Sequence, residues 1–207
     1  MKEEATSLVV VVLVVSFLGF VLENIWLAFT KGYMDNRKMT LPFLLGYGLF
    51  VVGMYVFFGT PRKMCILGGP VLKGRTEFLY FIVSAVTVSI GEIILGTVVE
   101  RFMGFEYWNY EWIPLHITKY TSVPTSIGFG AAVTFVMDSI FPVVRDLSEK
   151  FYSSALSYIS VLLLLLCIAD MLFSFAKMNR NQGINLKWRV DMPESTGVYS
   201  ILVHPHQ

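Results

Sequence analysis

Five runs of almost uninterrupted apolar residues constrain the fold of this chain more than any other feature. The clearest is SVLLLLLCIADMLFSF, in the last quarter of the sequence. A helix needs about 20 consecutive apolar residues to cross a bilayer, and backbone polar groups in lipid must bond within the segment. The runs are apolar on every side, unlike the alternating strands of a membrane barrel. The sequence therefore predicts helical spans at about 8–29, 41–58, 78–99, 126–144 and 155–176.

The predicted fold class is all-α, a polytopic transmembrane helix bundle with about five spans in residues 1–176. Residues 177–207 differ from the bundle, because polar and turn-forming residues are frequent there. In this tail, NLKWRV and GVYSILVH flank the turn-rich DMPESTG. This pattern predicts a short β-hairpin outside the membrane.

Charge and cysteine content argue against several kinds of site. Lysine and arginine number 16 and aspartate and glutamate 15, so the net charge is near zero. No basic stripe is present to attract nucleic acid. The two cysteines lie in different settings and the histidines lack metal-ligand spacing, so neither a disulfide nor a metal site is expected. No cofactor is expected either. No Gly-x-x-x-x-Gly-Lys-Ser/Thr pattern occurs, so we expect any ATPase to be a separate chain.

A short motif occurs twice, each time at the start of an apolar run. Residues 42–48 read PFLLGYG and residues 124–130 read PTSIGFG, so proline, glycine, an aromatic residue and glycine repeat at the same spacing. Proline is tolerated in the first turn of a helix, where its missing N–H would have no partner. Glycine lets another backbone approach, as small residues do between membrane helices. The motif therefore predicts a helix start with a packing groove, and a ligand contact is the alternative.

One acidic residue lies in the span before each motif. Glu23 occurs in GFVLENIW and Glu92 in SIGEIILG, and the two are 69 residues apart. Each unit is then a Glu-bearing helix, a polar loop and a second helix, so both copies have the same orientation, as in parallel duplications. The first four spans are thus predicted to be a duplicated helical hairpin, with units at about 8–58 and 78–144.

The stretches FLGFVLENIW, KGYMDNR and GEIILGTVVERFMGFEYWNY resemble the CmpB-type family of ABC-transporter permeases. The resemblance covers about residues 16–144. It implies a multi-pass membrane protein with a transport role. Asn109 stands where that family usually has aspartate, and Leu41-Pro42 replaces its Gly-Pro. The residues that fall on the family pattern are Gly19, Glu23, Asn36, Arg37, Glu92, Glu100, Trp108 and Tyr110.

Glu23 and Glu92 are the first candidates for an internal site, since ionisable groups inside a membrane are costly. Gly19 and Glu23 share one helix face, and so do Glu92, Gly96 and Glu100. A carboxylate on a stripe of small residues should point into the bundle, where it would bind a proton, a cation or a cationic head group. In the alternative interpretation the carboxylates bond to a neighbouring helix or pair with an arginine.

Asp138 and two loops complete the set of candidate binding residues. Asp138 extends a polar face of the fourth span. Asn36 and Arg37 come from the first loop, KGYMDNRKMT, and Trp108 and Tyr110 from the third, RFMGFEYWNYEWIPLHITKYTSVP. Tryptophan and tyrosine also form belts at the membrane interface, which is the structural alternative. The functional hypothesis is a mouth built from both loops.

These features favour a transporter or permease component that is integral to the membrane, expected in the plasma (cell) membrane. Five spans make a thin pathway, so a homodimer or a partner subunit such as a separate ATPase is expected. A non-enzymatic role is favoured. Two alternatives stay open: an intramembrane enzyme or lipid-handling protein that uses Glu92, and a non-catalytic membrane scaffold.

Overall fold

The structure, a computed structural model, describes residues 2–66, 69–70 and 76–192. It is 73% helical, which confirms the predicted all-α helix bundle. Four helical segments, Lys2–Lys31, Thr76–Met103, Val123–Lys150 and Ser154–Asn181, are long and apolar enough to cross a membrane. The helices are α1 (Lys2–Lys31), α2 (Leu45–Phe58), α3 (Thr76–Met103), α4 (Val123–Phe135), α5 (Phe141–Lys150) and α6 (Ser154–Asn181).

The predicted second span is shorter than the others. Helix α2 has 14 residues, which at 1.5 Å per residue is about 21 Å long. The hydrocarbon core of a bilayer is about 30 Å thick. The helix begins at Leu45, three residues after Pro42, so this proline lies outside the first turn where it was expected. The backbone there bonds elsewhere, because the Leu44 N–H donates to the Ser16 carbonyl at 3.0 Å.

The start of α4 follows the prediction closely. Ser122 is the N-cap and forms a capping box with Thr125, and Pro124 lies in the first turn. A π-helical turn, Val136–Ile140, joins α4 to α5, and the Phe141 N–H bonds to the Val136 carbonyl five residues back. Pro142 follows at once and has no N–H to continue the regular ladder. The two helices therefore form one segment with a local irregularity before the proline.

The chain divides into two compact units. The first unit comprises Met1–Val11 and Phe50–Tyr152, and the second comprises Val12–Leu49 and Ser153–Gln207. In the first unit α3 packs along α4, and the large side chains of Tyr80, Met137 and Phe141 are fully buried.

Within the described residues, three short antiparallel strand pairs connect the polar segments. They are β1 (Tyr33–Asp35) with β6 (Arg189–Asp191), β2 (Cys65–Ile66) with β3 (Gly69–Pro70), and β4 (His116–Thr118) with β5 (Thr121–Ser122). The first half of the predicted tail hairpin therefore pairs with the first loop. The rest of that hairpin, residues 193–207, lies outside the described residues.

The second glycine of each Pro-x-x-x-Gly-aromatic-Gly motif lies at a close backbone contact. A Cβ on Gly48 would lie 2.8 Å from the carbonyl carbon of Val12, and one on Gly130 would lie 3.0 Å from the Cα and N of Ala85. The first glycines, Gly46 and Gly128, have open space at that position. The predicted packing groove is therefore confirmed for only one glycine of each motif.

Candidate functional site

Glu23 lies in a cluster of polar groups in the second unit. The Tyr47 hydroxyl donates to its Oε1 at 2.6 Å, and the Arg37 Nε donates to its Oε2 at 2.6 Å. The Arg37 guanidinium also lies near the Asp35 carboxylate, at 3.6 Å. The Arg37 and Glu23 side chains are 21% and 28% exposed, so the pair is only partly buried. The carboxylate is therefore held by a cation and a phenol, and the arginine-pairing alternative is the arrangement found.

A glycine one turn before Glu23 makes this contact possible. A Cβ on Gly19 would lie 2.7 Å from two ring carbons of Tyr47, closer than van der Waals contact allows. The ring therefore lies directly against the α1 backbone, from where its hydroxyl reaches the carboxylate. Gly19, Glu23, Arg37 and Tyr47 are called the Glu23 cluster below.

The backbone that presents Arg37 is strained. Arg37 and Lys38 have φ of +46° and +68°, values that non-glycine residues rarely adopt. The Arg37 N–H donates to the Asp35 carboxylate at 2.7 Å, which helps to hold this turn. Burial lowers the pKa of the Lys38 ammonium to about 8, and the positive charge of Arg37 adds to the effect. Residues in such conformations persist only where their surroundings fix them, and they cluster at functional sites.

Glu100, in the first unit, has the same kinds of partner. The Tyr120 hydroxyl donates to its Oε2, and the Lys119 ammonium donates to its Oε1 at 2.8 Å. A Cβ on Gly96, one turn earlier on α3, would lie within 2.9 Å of three Tyr120 ring carbons. Gly96, Glu100, Lys119 and Tyr120 are called the Glu100 cluster below. Glu100 is thus held by a phenol and a cation, as Glu23 is.

The third loop holds Tyr120 and Lys119 in position. The Trp108 indole N–H donates to the Tyr120 carbonyl at 3.1 Å, and the two rings meet edge to face with centroids 5.8 Å apart. The Lys119 ammonium also bonds to Glu106 at 3.0 Å. The Glu100 and Glu106 carboxylates raise the pKa of Lys119 above its ordinary value. Trp108 therefore contacts Tyr120 through both its N–H group and its ring.

Glu92 has different surroundings. Its Oε2 accepts a hydrogen bond from the Thr121 hydroxyl at 2.7 Å. The Thr121 hydroxyl lies 3.2 Å from that of Ser126, which lies 2.6 Å from that of Ser89. Across residues 2–66 and 76–192, no lysine or arginine side chain forms an ion pair with Glu92. This half-buried carboxylate therefore continues into a row of hydroxyl groups.

The nearby start of α4 offers no backbone N–H to Glu92. The Ser122 side chain accepts from the Thr125 N–H, the Val123 N–H donates to the Leu115 carbonyl, and Pro124 has none. The positive end of the α4 dipole still favours a negative charge at this place. The second carboxylate oxygen of Glu92 has no assigned protein donor among the described residues.

The remaining predicted site residues have structural partners. Asn36 is 2% exposed, and its amide donates to the Met39 and Asn185 carbonyls at 2.7 and 2.9 Å and accepts from the Lys187 N–H at 2.9 Å. It therefore joins the first loop to the tail. The Tyr110 N–H bonds to the Lys119 carbonyl at 2.7 Å within the third loop.

Asp138 forms an ion pair that the sequence did not predict. The Arg62 guanidinium donates to both carboxylate oxygens, at 2.8 and 3.0 Å. Its carboxylate is therefore already neutralised by a two-point contact. Asp170, on α6, accepts from the Thr40 and Leu41 N–H groups at 2.9 and 2.8 Å.

Sequence reasoning missed the tyrosines of the two clusters. Tyr47 is the aromatic residue of the first Gly-aromatic-Gly motif, but the corresponding Phe129 has no hydroxyl, and Tyr120 precedes the second motif. A signal was available in Gly-x-x-x-Glu, which occurs at Gly19–Glu23 and again at Gly96–Glu100. The surroundings of Glu23 are therefore matched by those of Glu100 and not by those of Glu92.

The family is decided by one comparison. A protein-family model described as "Putative ABC-transporter type IV" matches residues 10–175, about four fifths of the chain. The chain belongs to this family. The match confirms the resemblance noted in the sequence and extends it into α6, as far as residue 175. Neither the curated proteins nor the solved structures yield a match. Together with four apolar helices of spanning length, membership makes this an integral membrane protein of ABC-transporter type.

Proposed function

We propose that this ABC-transporter-family protein is the membrane-embedded permease component of a transporter, with Glu92 as an internal site for a cation or a proton. The family match supports the transport role. A separate chain would supply ATP hydrolysis, since no Walker pattern occurs in the sequence. The plasma membrane is the proposed location.

The observation that carries the proposal is the contrast between Glu92 and the two clustered glutamates. Arg37 pairs with Glu23 and Lys119 pairs with Glu100. Glu92 has a hydroxyl partner and no ion pair within the described residues. A carboxylate inside a membrane without a counter-charge is costly. Binding a proton or a cation removes that cost, so Glu92, unlike Glu23 and Glu100, has a reason to bind one.

The hydroxyl groups beside Glu92 support the same role. Thr121, Ser126 and Ser89 place three hydroxyl oxygens in a row from the carboxylate. Hydroxyl groups accept as well as donate, so they can face either a bound cation or a protonated carboxyl. The arrangement contains no group of three acidic, histidine or cysteine side chains within the described residues, which favours a monovalent over a divalent ion.

Reaction with a hydrophobic carbodiimide tests the proposal, because this reagent modifies protonated carboxyl groups in apolar surroundings. The full chain in lipid nanodiscs should be labelled at Glu92, as mass spectrometry of its peptides would show. Sodium chloride and ethylammonium chloride serve as probe cations, with choline chloride at equal ionic strength as the control. A cation that binds at Glu92 should slow the labelling.

Three single variants complete this test. Glu92→Gln should abolish labelling, whereas Glu23→Gln and Glu100→Gln should leave it at Glu92. The glutamine carbonyl can still accept from Thr121, so Glu92→Gln removes the charge without removing the hydrogen bond. Absence of label at Glu92, or stronger labelling at Glu23 or Glu100, would refute the proposed site.

The transport role has its own test. Complexes purified in mild detergent from the native membrane should contain a second chain that hydrolyses ATP. The scaffold alternative predicts that Glu92→Gln leaves the function of that complex unchanged. The lipid-handling alternative predicts a lipid bound beside Glu92, which native mass spectrometry would detect.

A further inference from the structure

We infer that the Glu23 cluster and the Glu100 cluster are equivalent conformational locks, each of which holds a polar segment closed against the helix that carries its glutamate. The inference goes beyond the proposed function and does not require Glu92 to bind a cation. It assigns to Tyr47 and Tyr120 a role that neither the family match nor the sequence motifs indicate.

The two clusters are built from the same kinds of residue. Each cluster has a glycine, a glutamate four residues later on the same helix, a tyrosine whose hydroxyl bonds to that glutamate, and a cation that pairs with it. Gly19 and Gly96 are 77 residues apart, and Glu23 and Glu100 are also 77 residues apart. Two occurrences of the same four-part arrangement favour a selected feature over a coincidence of packing. They also favour a duplication in which Glu23 corresponds to Glu100.

Each tyrosine ring packs directly against the glycine of its cluster. Both rings lie where a Cβ on the glycine would be, within 2.9 Å of ring carbons in either case. A neighbouring glycine without this contact, Gly91 on α3, has open space at its Cβ position. A side chain on the glycine of either cluster would therefore displace the tyrosine ring from the position in which its hydroxyl bonds to the glutamate.

The hydrogen bonds and ion pairs of the two clusters can be broken at a modest cost in free energy. The charged side chains of the two clusters are between 21% and 34% exposed, so neither cluster is sealed inside the protein. Exposed ion pairs contribute little net stability. Asn36, by contrast, is 2% exposed, and breaking the hydrogen bonds of its buried amide would be costly. A ligand that binds the open state of a cluster only modestly better than the closed state would therefore shift the cluster towards the open state.

Each lock holds a distinct segment. Around Tyr47, the N–H groups of Leu44 and Tyr47 bond to Ser16 and Leu44 carbonyls. In the third loop, the N–H groups of Tyr110 and Val123 bond to Lys119 and Leu115 carbonyls. Opening of a lock should expose the amides of its own segment, residues 40–47 in one case and residues 110–123 in the other.

Hydrogen–deuterium exchange of the full chain in nanodiscs tests the inference. Tyr47→Phe keeps the ring and removes the hydroxyl, and should speed exchange in 40–47 by about 10- to 100-fold, the effect of losing one hydrogen bond to a charged group. Tyr120→Phe should do the same in 110–123. Exchange in α6 should not change in either variant.

Alanine at the glycines separates a lock from general loosening. Gly19→Ala should reproduce the exchange of Tyr47→Phe, and the double variant should be no faster than the faster single one, because both remove the same contact. Gly96→Ala should behave likewise with Tyr120→Phe, and Gly91→Ala is the matched control on α3. Unchanged exchange in either segment, an equal rise in every helix, or multiplying effects within one cluster would overturn the inference. Carbodiimide labelling of Glu92 is unaffected by these outcomes, so the two proposals fail separately.

Discussion

Alanine at Gly48 should force α1 and α2 apart. A Cβ there would lie 2.5 Å from the Ser16 Oγ and 2.8 Å from the carbonyl carbon of Val12, with the carbonyl oxygen nearer still. Two of these three atoms belong to the backbone, so rotation of a side chain cannot relieve the clash. Gly46, two residues earlier, has nothing within 4 Å of the same position. Gly46→Ala is therefore a control of identical chemistry.

The magnitude follows from two opposing effects. Alanine is favoured over glycine in a helix by about 1 kcal/mol, and Gly46→Ala should gain up to that amount. Overpacking costs about 1–3 kcal/mol, and at Gly48 it outweighs the gain because the backbone must move. The two variants should therefore differ by roughly 1–3 kcal/mol in the free energy of unfolding. For a chain of this length this corresponds to about 2–12 °C in Tm.

The buried Cys167 provides the assay. Its side chain is 3% exposed, so a fluorogenic thiol reagent should react with it only on unfolding. The measurement uses a Cys65→Ser background, in which Cys167 is the one thiol of the chain. Heating each variant in detergent micelles with the reagent gives Tm directly. Equal Tm values for Gly48→Ala and Gly46→Ala would refute the packing argument, and so would a Gly48→Ala variant more stable than the parent.

Two further predictions concern polar groups of the second unit. Lys38 should titrate near pH 8 in competitive acetylation. At that pH only about 0.4% of an ordinary lysine is deprotonated. Because the unfolded ammonium keeps its proton up to about 10.5, the contribution of Lys38 to stability should rise between pH 8 and 10.5. A Lys38 titration with the other lysines would contradict this. Asp170→Leu should lower the unfolding free energy by about 2–4 kcal/mol, since the Thr40 and Leu41 N–H groups lose their shared acceptor. Asp170→Asn, which retains an acceptor oxygen, should lose less in the same thiol assay, and equal losses would contradict the role of the hydrogen bonds.

The helical spans could be predicted from the sequence because the constraint is local. A run of apolar residues in lipid must satisfy its own backbone, which leaves the helix as the one local solution. The start of α4 could likewise be predicted from the sequence, since Pro124 and the Ser122 cap act within one turn. The length of α2 was harder to predict, because the Leu44 N–H, just before the helix, bonds to the Ser16 carbonyl, which is distant in sequence.

The partners of the acidic residues could not be predicted in the same way. Spacing placed Gly19 with Glu23 and Gly96 with Glu100 on common helix faces, as the structure has them. The repeated Pro-x-x-x-Gly-aromatic-Gly motif paired Glu23 with Glu92, because that comparison did not consider Tyr47 on α2 or Tyr120 in the third loop. The path of the third loop decides that Tyr120 reaches Glu100.

The sequence by itself determined that this chain is a membrane helix bundle, and it located each carboxyl group along its helix. Hydrophobicity and helical periodicity are properties of neighbouring residues, so they can be read without a fold. Only the tertiary structure decided that Arg37 neutralises Glu23 and that Lys119 neutralises Glu100. Arg37 is 14 residues from Glu23 and Lys119 is 19 from Glu100, and electrostatic energy depends on distance in space, which loop geometry sets.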